Sequence, residues 1–199
     1  MSNGFARHGR LILAAAMMLG SVLLPGCASL KLGDHQPAVD TLVALRDSGI
    51  APLAVGEFKL ASGLNPDLDK HQSSRGNPID PPAGSTFSGY LKDSLTADLK
   101  AAGKLDAASP LSVRGQLTKN ELSTGVSSAQ VVLGARFQVV RSDAVVFDKE
   151  IVQDDKWDSS FVGAVAIPQA MNHYAQAYNV LLSKLYADTD FRAACMAHP

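Results

Sequence analysis

Residues 111–118 read Leu111-Ser112-Val113-Arg114-Gly115-Gln116-Leu117-Thr118, and residues 131–139 read Val131-Val132-Leu133-Gly134-Ala135-Arg136-Phe137-Gln138-Val139. In the first, Leu111, Val113, Gly115 and Leu117 alternate with Ser112, Arg114, Gln116 and Thr118. In the second, Val131, Leu133, Ala135, Phe137 and Val139 keep the same period of two. Successive side chains of a strand point to opposite faces, so the alternation predicts strands with one dry face and one wetter face. Val145, Phe147 and Ile151, set against Asp148, Glu150 and Asp154, extend the pattern into a third strand. Arg141-Ser142-Asp143-Ala144 reads as the hairpin turn between the last two strands, and residues 123–128, polar and containing Gly125, as a loop.

Moving outward, the period changes from two to between three and four. Phe87, Leu91, Leu95, Leu99 and Ala102 recur at helical spacing, with Ser85 or Thr86 available as a cap and Gly103 as a stop. Beyond the third strand, Ile167, Met171, Tyr174, Tyr178, Leu181 and Leu185 fall four and three apart, predicting a long helix that begins at Pro168, where a first helical turn tolerates proline. The run is under three heptads, so packing on the chain's own sheet is favoured over a coiled coil. Phe191, after Asp188 and Asp190, is expected to fold back on the same core. Upstream, residues 53–60 alternate as another strand, with Ala54, Gly56, Phe58 and Leu60 on one side and Glu57 and Lys59 on the other. Val39, Leu42, Val43 and Leu45 predict a short amphipathic helix over residues 38–47. Between them, residues 61–84 hold Gly63, Asn65-Pro66, Gly76, Asn77-Pro78, Pro81-Pro82 and Gly84, which excludes a long helix and leaves room for a short strand around residues 71–75. A long irregular segment is often functional, and here it competes with a solvated loop. The expectation is an α+β fold: a mainly antiparallel sheet of four to five strands with two long helices packed on one face.

The N-terminus has the three parts of a secretory signal. Arg7 and Arg10 supply a basic region, and residues 11–24 supply a 14-residue apolar run, too short for the roughly 20 residues of a spanning helix. The run ends in Leu24-Pro25-Gly26-Cys27, which resembles the lipid-attachment box of bacterial lipoproteins: an aliphatic residue, a small residue, Gly or Ala, then Cys. Leu24, Gly26 and Cys27 match and Pro25 departs from the pattern. The resemblance implies cleavage after Gly26 and, on the Cys27 thiol and new N-terminus, a diacylglycerol and a further acyl chain such as palmitate. One chain holds a bilayer marginally, and two or three hold it stably. The competing reading is an ordinary secreted protein cut nearby, for instance after Ser29.

The chain so processed divides into residues 1–26 as signal peptide, 27–37 as a lipidated polar tether without periodicity, and 38–199 as a single α+β domain. The 173 remaining residues suit one domain. The two arginines leave with the signal, so 16 basic residues face 19 acidic ones. No basic stripe offers a phosphate-binding face, and nucleic acid is not an expected partner. Cys195 is then the remaining thiol, read as packed, with an intermolecular disulfide as the sharper alternative.

The sequence carries no recognisable catalytic set. Neither the G-x-S-x-G elbow nor the phosphate-binding G-x-x-x-x-G-K-[ST] loop occurs, and no pair of Cys or His residues has metal-ligand spacing. Asn65-Pro66-Asp67-Leu68-Asp69 resembles the start of a calcium loop but lacks its Gly at the sixth and Glu at the twelfth position. Asp154, Asp155 and Asp158 read as the end of a solvated strand sooner than as a cation site. The expectation is a non-enzyme without cofactor or metal. Trp157-Asp158-Ser159-Ser160-Phe161-Val162-Gly163-Ala164 joins the last strand to the last long helix. Its Trp157 and Phe161 are candidate partner contacts, weighed against closing the end of the core.

The order of tether, strand, irregular segment, helix, three strands and long helix resembles the small lipoproteins of the Gram-negative envelope, a group that includes LptE, the lipoprotein partner of the lipopolysaccharide-export channel, and the YajG-like lipoproteins. Phe87-Ser88-Gly89-Tyr90-Leu91 with Leu95 and Leu99, and the run from Trp157 to Ile167 leading into Tyr174, carry the likeness. It implies helices on one face of the sheet and a wet face free for a partner. It also implies an address: Ala28 and Ser29, where an Asp after the cysteine would retain an enterobacterial lipoprotein in the inner membrane, point to the periplasmic face of the outer membrane. The leading expectation is a lipid-anchored binding or accessory component of an envelope transport or assembly complex with a protein partner. The alternatives are a lipid- or glycan-binding periplasmic module and, last, a cell-wall hydrolase.

Overall fold

The computed structural model describes residues 29–196. Gly26 and Cys27, read above as the cleavage and lipid-attachment positions, lie outside the described residues. Along these the elements run β1 (Leu30–Lys31), α1 (Val39–Arg46), β2 (Ala54–Leu60), β3 (Gln72–Ser74), β4 (Asn77–Asp80), α2 (Phe87–Ala101), β5 (Leu111–Thr124), β6 (Ser128–Arg141), β7 (Ala144–Asp158), α3 (Gly163–Ala187) and α4 (Thr189–Cys195). The fold is α+β. A four-stranded sheet has the order β2-β5-β6-β7, in which β5, β6 and β7 form an antiparallel meander and β2 joins β5 in parallel.

The period-two reading fixes which face is dry. Val131, Leu133, Ala135, Phe137 and Val139 of β6 are completely buried, as are Val113 and Leu117 of β5. Over this face lie the two long helices, α2 across β2 and β5, α3 across β6 and β7. Their stripes meet at Phe87–Tyr174 and Tyr90–Tyr178, with ring centroids 5.5 and 4.9 Å apart, edge to face as ring quadrupoles favour. Thr86 caps α2, its Oγ1 accepting from the Gly89 N–H at 3.0 Å, and Gly103, at φ 70°, ends the segment in the left-handed region. Ser142 and Asp143, both at positive φ, make the β6–β7 turn with the backbone twist of a type I′ hairpin. Phe191 on α4 is buried in the same core, as expected.

Four sequence expectations are corrected. The last long helix begins at Gly163, and Pro168 lies inside it. No side chain caps Val162, so the helix start carries no local signal, and the proline sits exposed, where water can serve the Ala164 carbonyl it leaves without an N–H. Val145 is exposed, beyond a bulge at Val139/Val140 that takes the strand end off the dry face. On α1, Val39 and Val43 are exposed and Leu45 carries the packing. Finally, the segment read as a polar tether is docked from Leu30 onward. β1 pairs in parallel with β4, which pairs antiparallel with β3, giving a second sheet of order β1-β4-β3. Leu32 is buried, and the His35 and Asp98 side chains, 3% and 2% exposed, meet at 2.8 Å. A short apolar alternation, Leu30 and Leu32, was enough to cover Ile79.

Candidate functional site

Two surfaces remain uncommitted by the fold. The first is the wet face of the four-stranded sheet. Cross-strand pairing sets Gln116 against Arg136 and Arg136 against Glu150, and the face continues through Arg114, Gln138 and Asp148. Arg136 holds Asp148 with both prongs of its guanidinium, at 2.5 and 2.8 Å, and Gln138 Nε2 donates to the same carboxylate at 2.9 Å. These hydrogen bonds hold the Asp148 carboxyl below the usual carboxylate range. Thr118 Oγ1 donates to Glu150 at 2.7 Å. A shallow cleft of about 120 Å³ crosses the face between Glu57, Lys59, Arg114 and Arg136. The surface is a solvated ladder of both signs, suited to polar recognition.

The second surface is the corner where the β3–β4 turn, the β5–β6 turn and the β7–α3 loop meet. Arg75, held at φ 51°, and Gly76, at φ 78°, reverse the chain between β3 and β4. The Arg75 N–H donates to Thr124 Oγ1 at 3.1 Å. Its guanidinium donates to the carbonyls of Gly125 (2.7 Å), Ser160 (2.5 Å) and Phe161 (3.1 Å) and to Ser159 Oγ (3.0 Å). Ser159 N–H donates to the Ser127 carbonyl at 3.0 Å, and Val162 N–H to Ser160 Oγ at 3.1 Å. One side chain thus ties the irregular segment to the loop that the sequence singled out separately. Trp157 is half-buried against the core and stacks on His173, centroids 4.0 Å apart and planes parallel to 1°, while His173 Nδ1 lies 2.6 Å from Asp155 Oδ2. Phe161 is 83% exposed, next to Val162 at 56%, Val165 at 56% and Val126 at 63%. The two aromatics of one loop therefore stand differently: Trp157 closes the end of the core and Phe161 projects into solvent. An open cavity of about 560 Å³ lies beside Trp157, lined also by Ser123, Gln130, Lys156 and Asp158.

The other flagged residues have structural partners. Asn65 Oδ1 accepts from the Asp67 N–H, and the Asp69 carboxylate accepts from the N–H and hydroxyl of Ser88 at 2.6 and 2.8 Å, bracing the start of α2. Among the described residues no cluster of three or more His, Cys, Asp or Glu could hold a metal ion. Cys195 is fully buried and burial pushes its thiol up to about 12, as a packed thiol requires. Sequence reasoning missed Arg75 and the buried Asn120, which accepts from the Tyr174 hydroxyl at 2.5 Å and donates to the Leu68 carbonyl at 2.7 Å. Gly76, between Gln72-Ser73-Ser74 and Asn77-Pro78, was the available turn signal. Asn120 had none, because a bulge at Leu117/Lys119 shifts it to the dry face.

No helix of the described residues is long and apolar enough to cross a membrane. No family model matches the chain, and no curated protein matches it. Solved structures superpose on it to differing degrees. Protein XCC0632 from Xanthomonas campestris, of family DUF330, superposes with a TM-score of 0.50 at 15% identity, covering 83% of this chain and 94% of its own. A minor lipoprotein from Acinetobacter baumannii gives 0.45 at 13%, covering 75% and 98%, and a putative lipoprotein from Caulobacter crescentus gives 0.44 at 12%, covering 78% and 96%. At 15% identity the likeness to the Xanthomonas protein is one of fold alone.

Proposed function

We propose that this protein is a non-enzymatic lipoprotein, anchored through Cys27 at the periplasmic face of the outer membrane, whose domain binds a protein of an envelope transport or assembly complex. The observation that carries the binding role is the uncovered face of the four-stranded sheet. α2 and α3 both pack on the other side, and Arg114, Gln116, Arg136 and Asp148 stand on the open one. Strands fixed by a close-packed core make a rigid display for polar contacts, which lowers the ordering cost of association. The anchoring role rests on the apolar run ending in Leu24-Pro25-Gly26-Cys27.

Two measurements test the reading. The intact mass of the full chain made in a Gram-negative host should match a product beginning at Cys27 with added diacylglycerol and acyl mass, lost in Cys27→Ala. An unmodified product refutes the anchor. A photo-crosslinking residue placed at Gln116 should capture one discrete envelope protein, and that capture should disappear with Arg114→Glu. The same probe at Lys92, on α2, should capture nothing; equal capture at both positions refutes the sheet face as the binding surface.

A second reading is favoured by one observation, the cavity beside Trp157. An aromatic edge among hydroxyl, amide and charged groups suits a glycan or a lipid headgroup. Lipopolysaccharide or phospholipid co-purifying with a chain that starts at Ala28 would support it, and a clean protein would exclude it.

A further inference from the structure

The exposed apolar residues of the Arg75 corner and the point where the chain enters the fold lie at the same end of the molecule. β3 runs alongside the last third of β5, with Gln72 Nε2 donating to the Asn120 carbonyl and the Arg75 N–H to Thr124 Oγ1, so it climbs toward the β5–β6 turn. β4 returns antiparallel from that turn, and β1 is parallel to β4, with Leu30 beside Ile79 and Lys31 beside Asp80. The N-terminal end of β1 therefore faces the Asn77 end of β4 and the Arg75 corner. Cys27 precedes Leu30 by three residues, a reach of about 10 Å at most for an extended chain.

Resting on the lipoprotein reading of Cys27, we infer that Val126, Phe161, Val162 and Val165 form a membrane-contacting face that seats the domain on the bilayer holding its own lipid anchor. The occupant follows from the leader: a three-residue leader cannot hold this end of the domain clear of the surface in which its acyl chains are buried. The corner is also built for that contact. The carbonyls of Gly125, Ser160 and Phe161, which would be costly to bring unpaired into an interface, are all taken by the Arg75 guanidinium, and the Ser159 and Val162 N–H groups have partners as well. Outward stand Phe161, an aromatic of the kind found on membrane-facing apolar surfaces, and three valines around it, with the short side chains of Ser127 and Ser128 beside Val126. The flanking Lys156 and Asp158 cancel in charge, and Arg75, whose partners are carbonyl and hydroxyl oxygens, leaves one positive charge at the contact.

The test uses the full chain, expressed in a Gram-negative host as wild type, Phe161→Trp and Val145→Trp, the last at the opposite end of the sheet. Acylation is checked by intact mass, and each protein is reconstituted in phosphatidylethanolamine–phosphatidylglycerol vesicles with or without brominated acyl chains. The expected result is bromine quenching of Phe161→Trp clearly beyond the Trp157 background of the wild type, with Val145→Trp unquenched. If the protein is acylated and vesicle-bound but Phe161→Trp is quenched no more than Val145→Trp, the inference falls and the lipoprotein reading stands. A Phe161→Trp emission that is blue-shifted with concentration but unquenched puts a second copy of the chain on the patch and also overturns the inference. Absence of acyl mass removes the anchor, and the inference with it.

Discussion

At the scale of single residues, Gly115 shows how a small side chain can be decisive. It stands opposite Phe58 in the β2–β5 register, and a Cβ built there would lie 2.2 Å from Phe58 Cε1. The phenyl ring lies over the glycine and packs edge-on against Phe137 at 6.3 Å, so an aromatic on the parallel strand covers a gap in the central one. Gly115→Ala should cost about 1–3 kcal/mol in urea unfolding with an unchanged slope, and Phe58→Leu in the same background should recover part of it. A loss confined to Gly115→Ala with no recovery would show that the clash is not with the ring. The sequence placed Gly115 correctly on the dry face by alternation. It could not reveal the ring over it, because that contact is made by a strand more than fifty residues upstream. Arg75 was illegible for the same reason: its five partners lie between Thr124 and Phe161.

At the scale of elements, long strands, the buried half of each long helix and the short strand around residues 71–75 were readable, and element ends and the strands β1 and β4 were not. Leu91, Leu95 and Leu99, and Tyr174, Tyr178, Leu181 and Leu185, are buried as their spacing demands, whereas Ile167 and Met171 near the start of α3 are only half-buried. β1 and β4, of two and four residues, are too short to show a period, and β4 contains Pro78, whereas β3 lies inside the stretch 71–75 where a short strand was expected. Each exists through pairing with a neighbour, which is tertiary information. Two outcomes test these corrections. A chain beginning at Gly33 should be less stable than one beginning at Ala28 by about 2–4 kcal/mol, because Leu30 and Leu32 no longer cover Ile79; equal thermal midpoints would mean that the leader is not docked. Pro168→Ala should raise stability by about 1 kcal/mol by restoring an N–H to the interior of α3, and a loss on urea unfolding would contradict a helix continuing through that position.

At the scale of the whole molecule, the four tyrosines of the chain share a fate. Burial raises the phenol of Tyr90 to about 12 and pushes those of Tyr174, Tyr178 and Tyr186 upward, the last assisted by the negative Asp98 beside it. The Cys195 thiol moves the same way. Between the unfolded and folded values the native state keeps protons that the unfolded chain releases, so stability is fully present below about pH 9 and declines as pH rises toward 12. The urea midpoint should be lower at pH 10.5 than at pH 8, and tyrosinate absorbance should rise with unfolding instead of ahead of it; phenols that ionise before the fold is lost would refute the packing. The α+β class was legible because three amphipathic strands and two amphipathic helices have one economical way to cover each other. The parallel entry of β2 was not, since no local period records which edge a strand joins. The length of β6 has a consequence for reach. Its fourteen residues, at about 3.3 Å each, span some 45 Å from the β5–β6 turn to the β6–β7 turn. If the first turn rests on the bilayer as proposed, the second stands up to that far from the lipid, and the sheet becomes a fixed ruler. Any partner gripping the Val145 end would then be held at one set height above the lipid.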